Sequence, residues 1–394
     1  MKKTAVALAG ALMIVAARGH AFEAAAAAPP PAARPWSSRM ADSVMARTPD
    51  PRLLDSDKPK WEYTYGLLLK AIFAVGERSG DARYFDYGRR YYEQMIAPDG
   101  TIATYDLAEY NIDRVNPGKP LFMLKEKTGD ERYARALATL RLQMKDHPRT
   151  KEGGFWHKKR YPYQMWLDGL YMGAPFLAQY AAVSGEKALF DDVARQLIVM
   201  EQHARDPKTG LLYHGYDESR AQKWANPQTG LSQEFWGRAV GWYAMALVDV
   251  LDFFPKDHPR RADLVAILDR TLTAVARVQD AKTGVFHQVL DKGGREGNYL
   301  ESSASSMFAY AFLKASRLGY ADARFATIGR RAYEGVLKQS ITTDAQGLVS
   351  INQACQVAGL GGDPNSGVYR DGTYEYYVKE NIRSNDPKAV GPFI

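Results

Sequence analysis

One short turn recurs along this 394-residue sequence and decides its fold class. Its copies are SGDARYF at 79–85, TGDERYA at 128–134, SGEKALF at 184–190 and, more loosely, GYADARFA at 319–326. A Ser or Thr, a Gly and then an acidic residue predict the C-terminal cap of one helix followed at once by the N-terminal cap of the next. Each copy therefore predicts a tight helix–turn–helix.

A second recurring segment joins one helical hairpin to the next. Its copies are KEGGFWH at 151–157, KTGLLYH at 208–214, KTGVFH at 282–287 and AQGLVSI at 345–351. In each copy a glycine turn precedes short alternating apolar residues, which is typical of a small extended loop. The distance between copies, roughly 50–75 residues, leaves room for two helices and a loop each time.

Helical patterns fill the intervals between these turns. There is room for one more helix at 37–47 and for one at the end. The ten helices that we expect lie at about 62–78, 82–96, 117–127, 131–146, 166–183, 187–204, 234–254, 260–279, 302–318 and 323–340. Five or six such hairpins form either an open solenoid or a closed ring. No repeat has the polar character that an open stack needs at its ends. We therefore predict an all-α fold, a six-hairpin (α/α)6 barrel.

Two segments have the pattern of inner helices of such a barrel. MWLDGLYMGAPFLAQYAAV at 165–183 contains one charged residue, Asp168, and FWGRAVGWYAMALV at 235–248 contains one, Arg238. Polar residues and a proline interrupt the first segment, which argues against a membrane span. We expect Pro175 to kink this helix or to mark a local break.

Composition excludes several classes of protein. With 46% apolar and 25% charged residues, the chain has the composition of a globular protein. Its single cysteine, Cys355, excludes an intramolecular disulfide framework and a multi-cysteine zinc site. The basic residues are scattered, so we predict no nucleic-acid partner. Neither a phosphate-binding glycine loop nor a G-x-S-x-G elbow is present, and we predict no cofactor.

The N-terminus has the pattern of a secretory signal peptide. Lys2 and Lys3 precede an apolar run at 4–17 that is short for a membrane span, and small residues then allow cleavage after Ala21. We predict a signal peptide at 1–21, an Ala/Pro-rich linker at 22–36 and a catalytic barrel domain at 37–394. A retained anchor helix is the alternative. Cleavage deletes three basic residues and no acidic one, so the net charge falls from +7 to +4.

A single charge in an apolar helix is costly to bury unless it is paired. Asp168 and Arg238 therefore either pair with each other, or Asp168 caps its helix, or both belong to a binding site. Each follows a tryptophan by two residues, Trp166 and Trp236, which offers a flat apolar face next to a charged group. Sugar rings stack on such faces, and an Arg fork matches the two oxygens of a carboxylate.

Three histidines and one further aspartate are additional candidates. His157, His214 and His287 occupy equivalent places in the connecting segments and could line one opening. None has the close spacing of a zinc helix motif, so we predict no metal. Asp113, in YNIDRVNPG, either caps a loop or is a second carboxylate that raises the pKa of Asp168 by repulsion of like charges.

Four motifs in this order resemble glycoside hydrolase family 105, the unsaturated rhamnogalacturonyl hydrolases. They are QMWLDGLYMGAPFLAQYA at 164–181, EFWGRAVGWYAMALVDVL at 234–251, YLESSASSMFAYAFLK at 299–314 and NDPKAVGPFI at 385–394. The resemblance extends from about Trp61 to the end and implies the same six-hairpin barrel.

The resemblance also implies the site. The catalytic acid/base of the family's W-x-D-G-x-Y-M motif falls on Asp168. The other positions that match the family's motifs are implied to bind substrate: Asp113, His157, Lys158, Trp166, His214, Trp236 and Arg238. Family members run on for a final helix after Gly-Pro-Phe. This sequence stops at Ile394, so we expect a chain that is truncated or lacks the last inner helix, which would weaken closure of the barrel.

The implied substrate is an acidic oligosaccharide with a 4,5-unsaturated uronic acid at its non-reducing end, as a pectin-type lyase produces. Protonated Asp168 would donate to C-4, and its carboxylate would then activate the water that adds at C-5. We expect a periplasmic or secreted monomer or weak dimer without stable membrane association after cleavage. The alternatives are a family 88 unsaturated glucuronyl hydrolase, a sugar epimerase or isomerase that uses His157 and His214, and a non-enzymatic helical-repeat scaffold.

Overall fold

Helical hairpins make up most of the fold in the computed structural model, which describes residues 34–362 and 367–394. The helices in this part of the chain are α1 (Trp36–Arg47), α2 (Tyr63–Ser79), α3 (Ala82–Met95), α4 (Leu121–Thr128), α5 (Glu131–Asp146), α6 (Leu167–Ser184), α7 (Ala188–Ala204), α8 (Gly237–Val250), α9 (Arg261–Arg277), α10 (Ser302–Arg317), α11 (Phe325–Gln339), α12 (Tyr374–Lys379) and α13 (Pro387–Phe393). The signal peptide predicted at 1–21 and most of the linker predicted at 22–36 lie outside the described residues.

Short strands pair two by two between the helices. They are β1 (Gln164–Trp166), β2 (Gly215–Asp217), β3 (Phe286–His287), β4 (Leu300–Glu301), β5 (Ile341–Thr343), β6 (Val349–Ile351), β7 (Ala354–Cys355), β8 (Gly361–Gly362), β9 (Tyr369–Arg370) and β10 (Ile382–Arg383). The antiparallel pairs are β1 with β2, β3 with β4, β5 with β6, β7 with β10 and β8 with β9.

The turns at 79–85 and 128–134 have the predicted cap geometry, whereas α7 and α11, which follow the other two copies, begin without a side-chain cap. Gly80 ends α2 in the left-handed region (φ +72°), and Asp81 then accepts a hydrogen bond from the backbone N–H of Arg83 at the start of α3. Gly129 (φ +70°) and Asp130 form the same arrangement between α4 and α5. A side chain with a Cβ is strained at such positive φ angles, which explains the glycine in each copy. The helix–turn–helix prediction is confirmed.

The inner elements form a closed ring, and each contacts the next. The order is α2, the 3-10 segment Ile112–Gly118 that leads into α4, then α6, α8, α10 and α13, which contacts α2 again. α3, α5, α7, α9 and α11 each pack outside the inner element that precedes them in the chain, and α1 packs on α2. This arrangement confirms the all-α (α/α)6 barrel.

Two sequence-based expectations about inner helices need correction. The helix expected at 117–127 begins only at Leu121, because a 3-10 segment occupies Ile112–Gly118 and approaches α2 closely. A Cβ on Gly66 would lie 2.5 Å from the Cα of Pro117, so glycine permits this approach. Of the kink or local break expected at Pro175, the break is absent, since α6 runs without interruption from Leu167 to Ser184.

The expectation that the last inner helix is missing is wrong for this structure. α13 is short, but it lies between α10 and α2, and all seven of its residues are buried. Asp386 caps it by accepting a hydrogen bond from the backbone N–H of Lys388. The ring is therefore closed by α13.

Buried charges lie in the barrel interior, toward the C-terminal ends of the inner helices. The Asp249 carboxylate is 2.6 Å from Lys70 Nζ and 2.7 Å from Lys314 Nζ, and it also accepts from the Tyr310 hydroxyl. A cavity of about 610 Å³ opens at this end of the ring. Residues 35–394 form one compact unit, and no helix in the described ranges is long and apolar enough to cross a membrane.

Candidate active site

The pairing of β1 with β2 brings together two candidate residues that are distant in sequence. Trp166 pairs with Gly215, and the backbone N–H of Leu167 donates to the carbonyl of His214. Asp168 is the second residue of α6, which starts directly after β1, and His214 directly precedes β2. The two side chains are therefore held at the N-terminal end of the same inner helix.

Asp168 and His214 are in direct contact. His214 Nε2 lies 3.0 Å from Asp168 Oδ2, and the imidazole is fully buried, whereas the Asp168 side chain keeps 14% exposure. On the other side of the ring, Nδ1 is 2.7 Å from the hydroxyl of Tyr377. Tyr377 was not among the residues predicted from the sequence, because it lies on the six-residue helix α12 and no motif surrounds it.

Asp113 is held by a buried ion pair. A β-bridge between Asn111 and Lys158 places Lys158 Nζ 2.6 Å from Asp113 Oδ2, and His157 Nε2 lies 3.6 Å from Oδ1. Burial tends to raise the pKa of Asp113, but Lys158 and then His157 outweigh it, and the pKa is lowered. Asp113 is therefore an ionised partner of Lys158, and this ion pair belongs to neither of the two alternatives predicted for Asp113, a loop cap or a second carboxylate that repels Asp168.

Trp166 forms a wall between the two histidines. His157 stacks on it with ring centroids 4.5 Å apart, and Tyr161 stacks on it at 5.1 Å. His214 meets the same indole edge-on at 5.4 Å. A Cβ on Gly169 would lie 2.9 Å from His157 Nδ1, so the glycine after Asp168 lets α6 approach this histidine. Burial lowers the pKa of His157 to about 4, so its imidazole is neutral near pH 7.

Trp236 and Arg238 lie on the other side of His214. The Trp236 ring is 4.8 Å from His214, and its Nε1 donates to Gln288. The Arg238 guanidinium is fully buried at 5.1 Å from the Trp236 ring and donates to the carbonyl of Cys355. Its Nε and Nη1 have no hydrogen-bond partner within the described residues. The three N–H groups on these two nitrogens thus have no protein acceptor in the described residues.

The structure decides between several sequence-based alternatives. No ion pair joins Asp168 and Arg238 within residues 34–362 and 367–394, so the two single charges do not neutralise each other. His287 is not part of the cluster and lies against Gly293. No cluster of His, Cys, Asp or Glu suited to a metal ion occurs in the part of the chain that the structure describes.

The N-terminal ends of inner helices converge on this cluster. Trp166 immediately precedes α6, Trp236 precedes α8 and Glu301 caps α10. The first turns of α6 and α8 have no side-chain cap, so their N–H groups favour negative charge nearby, whereas those of α10 are occupied by the Glu301 carboxylate. The arrangement thus combines one partly exposed carboxylate, a histidine in contact with it, aromatic walls and two uncapped helix N-termini, which suits acid/base chemistry on an anionic sugar.

Comparisons with known proteins agree with this chemistry. The family model for Glycosyl Hydrolase Family 88 matches residues 36–394. A solved glycoside hydrolase from family 105 of C. acetobutylicum is 48% identical, with a TM-score of 0.87, over 91% of this chain and 97% of that chain. Protein Atu3128 of Agrobacterium fabrum is 44% identical over 57% of this chain and 95% of its own length. The unsaturated rhamnogalacturonyl hydrolase YesR of Bacillus subtilis is 28% identical over 66% of this chain and 72% of its own length.

Proposed function

This chain belongs to Glycosyl Hydrolase Family 88, and we propose that it removes a 4,5-unsaturated uronic acid from the non-reducing end of rhamnogalacturonan-type oligosaccharides. The observation that carries the proposal is the partly exposed Asp168 carboxylate against His214, between Trp166 and Trp236. The name of the relative YesR supports the rhamnogalacturonan substrate.

The proposed reaction needs one carboxyl group in two successive roles. Protonated Asp168 donates its proton to C-4 of the double bond, which leaves an oxocarbenium-like centre at C-5. The resulting carboxylate removes a proton from water as the water oxygen bonds to C-5. The C-5 hemiketal then opens to a ketone, and the C-1 hemiacetal releases the rest of the oligosaccharide. No second catalytic carboxylate is required, in contrast to ordinary glycosidases.

We assign the other polar groups of the cluster to substrate binding. The free Nε and Nη1 donors of Arg238 suit the uronate carboxylate, because a guanidinium fork matches two oxygens. Trp166 and Trp236 offer apolar walls for the sugar ring. Lys158 keeps Asp113 ionised, and His157 is a neutral hydrogen-bonding group beside Trp166.

We further propose that the protein acts outside the cytoplasm, in the periplasm or as a secreted enzyme. The pattern of residues 1–21 supports this localisation. Lyase products of plant cell-wall polymers are acidic oligosaccharides, and the positive helix ends around the site suit such a substrate.

The test follows the absorbance of the double bond with a lyase-generated unsaturated rhamnogalacturonan disaccharide as substrate. We expect the wild-type protein to remove the absorbance, and Asp168→Asn to lose at least about a thousandfold in kcat, within the range for a lost acid/base group. Asp191→Asn, an exposed aspartate on α7, is the matched control and should keep wild-type activity.

Two results would change the assignment. Faster loss of absorbance with an unsaturated glucuronyl disaccharide from a glycosaminoglycan would move the substrate to the glucuronyl class. No loss with any unsaturated uronide would overturn the proposal.

A further inference from the structure

Tyr377 contacts the candidate site from an element that neither the sequence motifs nor the proposed reaction uses. Its side chain is fully buried on α12, and its ring stacks on Trp236 with centroids 5.8 Å apart. Gln288 Nε2 donates to its backbone carbonyl at 3.0 Å, while Oε1 of the same Gln288 accepts from Trp236. Both the ring and the backbone of Tyr377 are therefore fixed relative to the site.

The Tyr377 hydroxyl has one hydrogen-bond partner in the described ranges, and that partner is His214 Nδ1 at 2.7 Å. Burial raises the pKa of this phenol well above 10, so the oxygen keeps its proton throughout the physiological range. A buried hydroxyl without an acceptor is costly. The O–H must therefore donate to Nδ1, because no other acceptor for it is found in residues 34–362 and 367–394.

This contact determines which nitrogen of His214 carries the hydrogen. In a neutral imidazole one nitrogen donates and the other accepts, and the partner of one nitrogen decides the state of the other. Since Nδ1 accepts from Tyr377, Nε2 carries the hydrogen, and it lies 3.0 Å from Asp168 Oδ2, although the N–H group is not aligned for a hydrogen bond with that oxygen in this structure. Oδ2 is buried, so the exposure that the Asp168 side chain retains lies on its other atoms.

We infer that Tyr377 is a positioning residue that holds His214 as the Nε2–H tautomer and so reserves Oδ1 of Asp168 for the catalytic proton. The tautomer follows from the contacts alone, whereas the role of Oδ1 rests on the proposed function. When Oδ1 gives its proton to C-4, the Nε2–H group stabilises the new carboxylate through Oδ2. Oδ1 then remains free to accept the proton of the attacking water.

Other charged groups near Asp168 have their own partners. Lys158 is paired with Asp113, and the Arg238 guanidinium donates to the backbone carbonyl of Cys355. His157 stacks on Trp166 and is neutral near pH 7. Tyr377 is thus the group in contact with His214 that can select its tautomer.

The first experiment measures the tautomer without substrate. Side-chain ¹⁵N–¹H correlation spectra of the ¹⁵N-histidine-labelled protein near pH 7.5 report on both ring nitrogens, and subtraction of the His214→Gln spectrum assigns the signals. We expect a pyridine-like Nδ1 and a pyrrole-like Nε2 for His214. A protonated Nδ1 in the wild-type protein would overturn the inference, whatever the outcome of the activity assay.

The second experiment separates positioning from packing by comparing Tyr377→Phe with Tyr376→Phe. Tyr376 is the neighbouring tyrosine on α12, and its hydroxyl accepts from the backbone N–H of Gly359. We expect Tyr377→Phe to lose the single-tautomer signature of His214 and about 10- to 100-fold in kcat, by analogy with the loss seen when the partner that orients a metal-bound histidine is removed. KM should change less than about twofold, and Tyr376→Phe should leave both readouts unchanged.

Each remaining outcome is informative. A Tyr377→Phe protein that keeps the His214 signature would show that the hydroxyl does not select the tautomer, whether or not kcat falls. If Tyr377→Phe and Tyr376→Phe reduce kcat by the same factor, this result would also count against a positioning role for Tyr377. If Tyr377→Phe does not fold, the wild-type spectrum still decides the inference. A correct tautomer with no activity on any unsaturated uronide would overturn the proposed function alone.

Discussion

Replacing Lys158 by methionine tests whether Asp113 is an ionised structural partner in the site. Lys158 Nζ and Asp113 Oδ2 are 2.6 Å apart, and the two side chains are only 13% and 10% exposed. At this distance the attraction amounts to about 6 kcal/mol for an effective dielectric constant near 20. Desolvation of both charges offsets most of that gain, so the pair itself contributes little net stability.

Breaking the pair has a larger effect than its net contribution. Removal of one partner leaves the other charge buried without compensation, which typically costs about 3–5 kcal/mol. We therefore expect Lys158→Met and Asp113→Asn each to lower the free energy of unfolding by about 3–5 kcal/mol. The double variant should lose much less than the sum of both, with a coupling free energy of about 2–4 kcal/mol.

Guanidinium unfolding followed by tryptophan fluorescence measures these unfolding free energies, provided that their dependence on denaturant concentration, the m-value, is the same in all variants. The surface pair Arg89 and Glu93, both 38% exposed and 2.9 Å apart, gives a matched control cycle with expected coupling below about 0.5 kcal/mol. The pKa of Asp113 is lowered in the folded state. Its contribution is therefore present above pH 4 and is lost as pH falls through the folded pKa.

A coupling free energy for Asp113 and Lys158 as small as that of the surface pair would refute this reasoning. It would mean that Asp113 is not ionised next to Lys158 and can act as a second acidic group near Asp168. In that case Lys158→Met would also leave the acid dependence of stability unchanged.

Three further predictions concern groups outside the proposed reaction. Asp249→Asn should lower the free energy of unfolding by about 1–3 kcal/mol in guanidinium titrations, because it removes the carboxylate shared by Lys314 and the half-exposed Lys70 while Lys314 keeps Asp252 at 2.6 Å. Burial lowers the pKa of His157 in the folded state to about 4, so as pH falls the unfolded state binds a proton at this histidine before the folded state does. The free energy of unfolding should therefore decrease as pH falls from 6.5 to 4, and His157→Gln should flatten this part of the pH–stability curve. Burial raises the pKa of the Cys355 thiol, and a thiol reagent should label it only after denaturation.

The helical hairpins were predictable because their signals are local. The turn from Gly80 to Asp81 combines a left-handed glycine and an N-terminal cap within two residues, and both effects depend only on neighbouring backbone. The 3-10 segment at Ile112–Gly118 was not predictable, because Pro117 is a common first residue of an α-helix and the pattern therefore places the start of the helix at 117. Its geometry depends on the close approach of Gly66 in α2, which is a tertiary contact.

Site residues were predictable from the sequence only where they belong to a recognisable motif. Asp168 and Trp166 follow from one motif, but the partner of Asp168 comes from β2, and the β1–β2 pairing has no sequence signal beyond two short apolar segments. Tyr377 has no signal at all. It is one of 24 tyrosines, and only the fold shows which of them reaches His214.

Asp168 and Arg238 show why identical sequence patterns give different environments. Each is the single charge of an apolar inner helix, and each follows a tryptophan by two residues. Asp168 faces an imidazole and keeps partial exposure, which a group that exchanges protons with substrate and water requires. Arg238 is completely buried, near Glu301 and against a backbone carbonyl, which suits a permanent cation that only binds. Since an arginine stays charged when buried and a carboxyl group must titrate to catalyse, the difference in exposure matches the different roles proposed for the two residues.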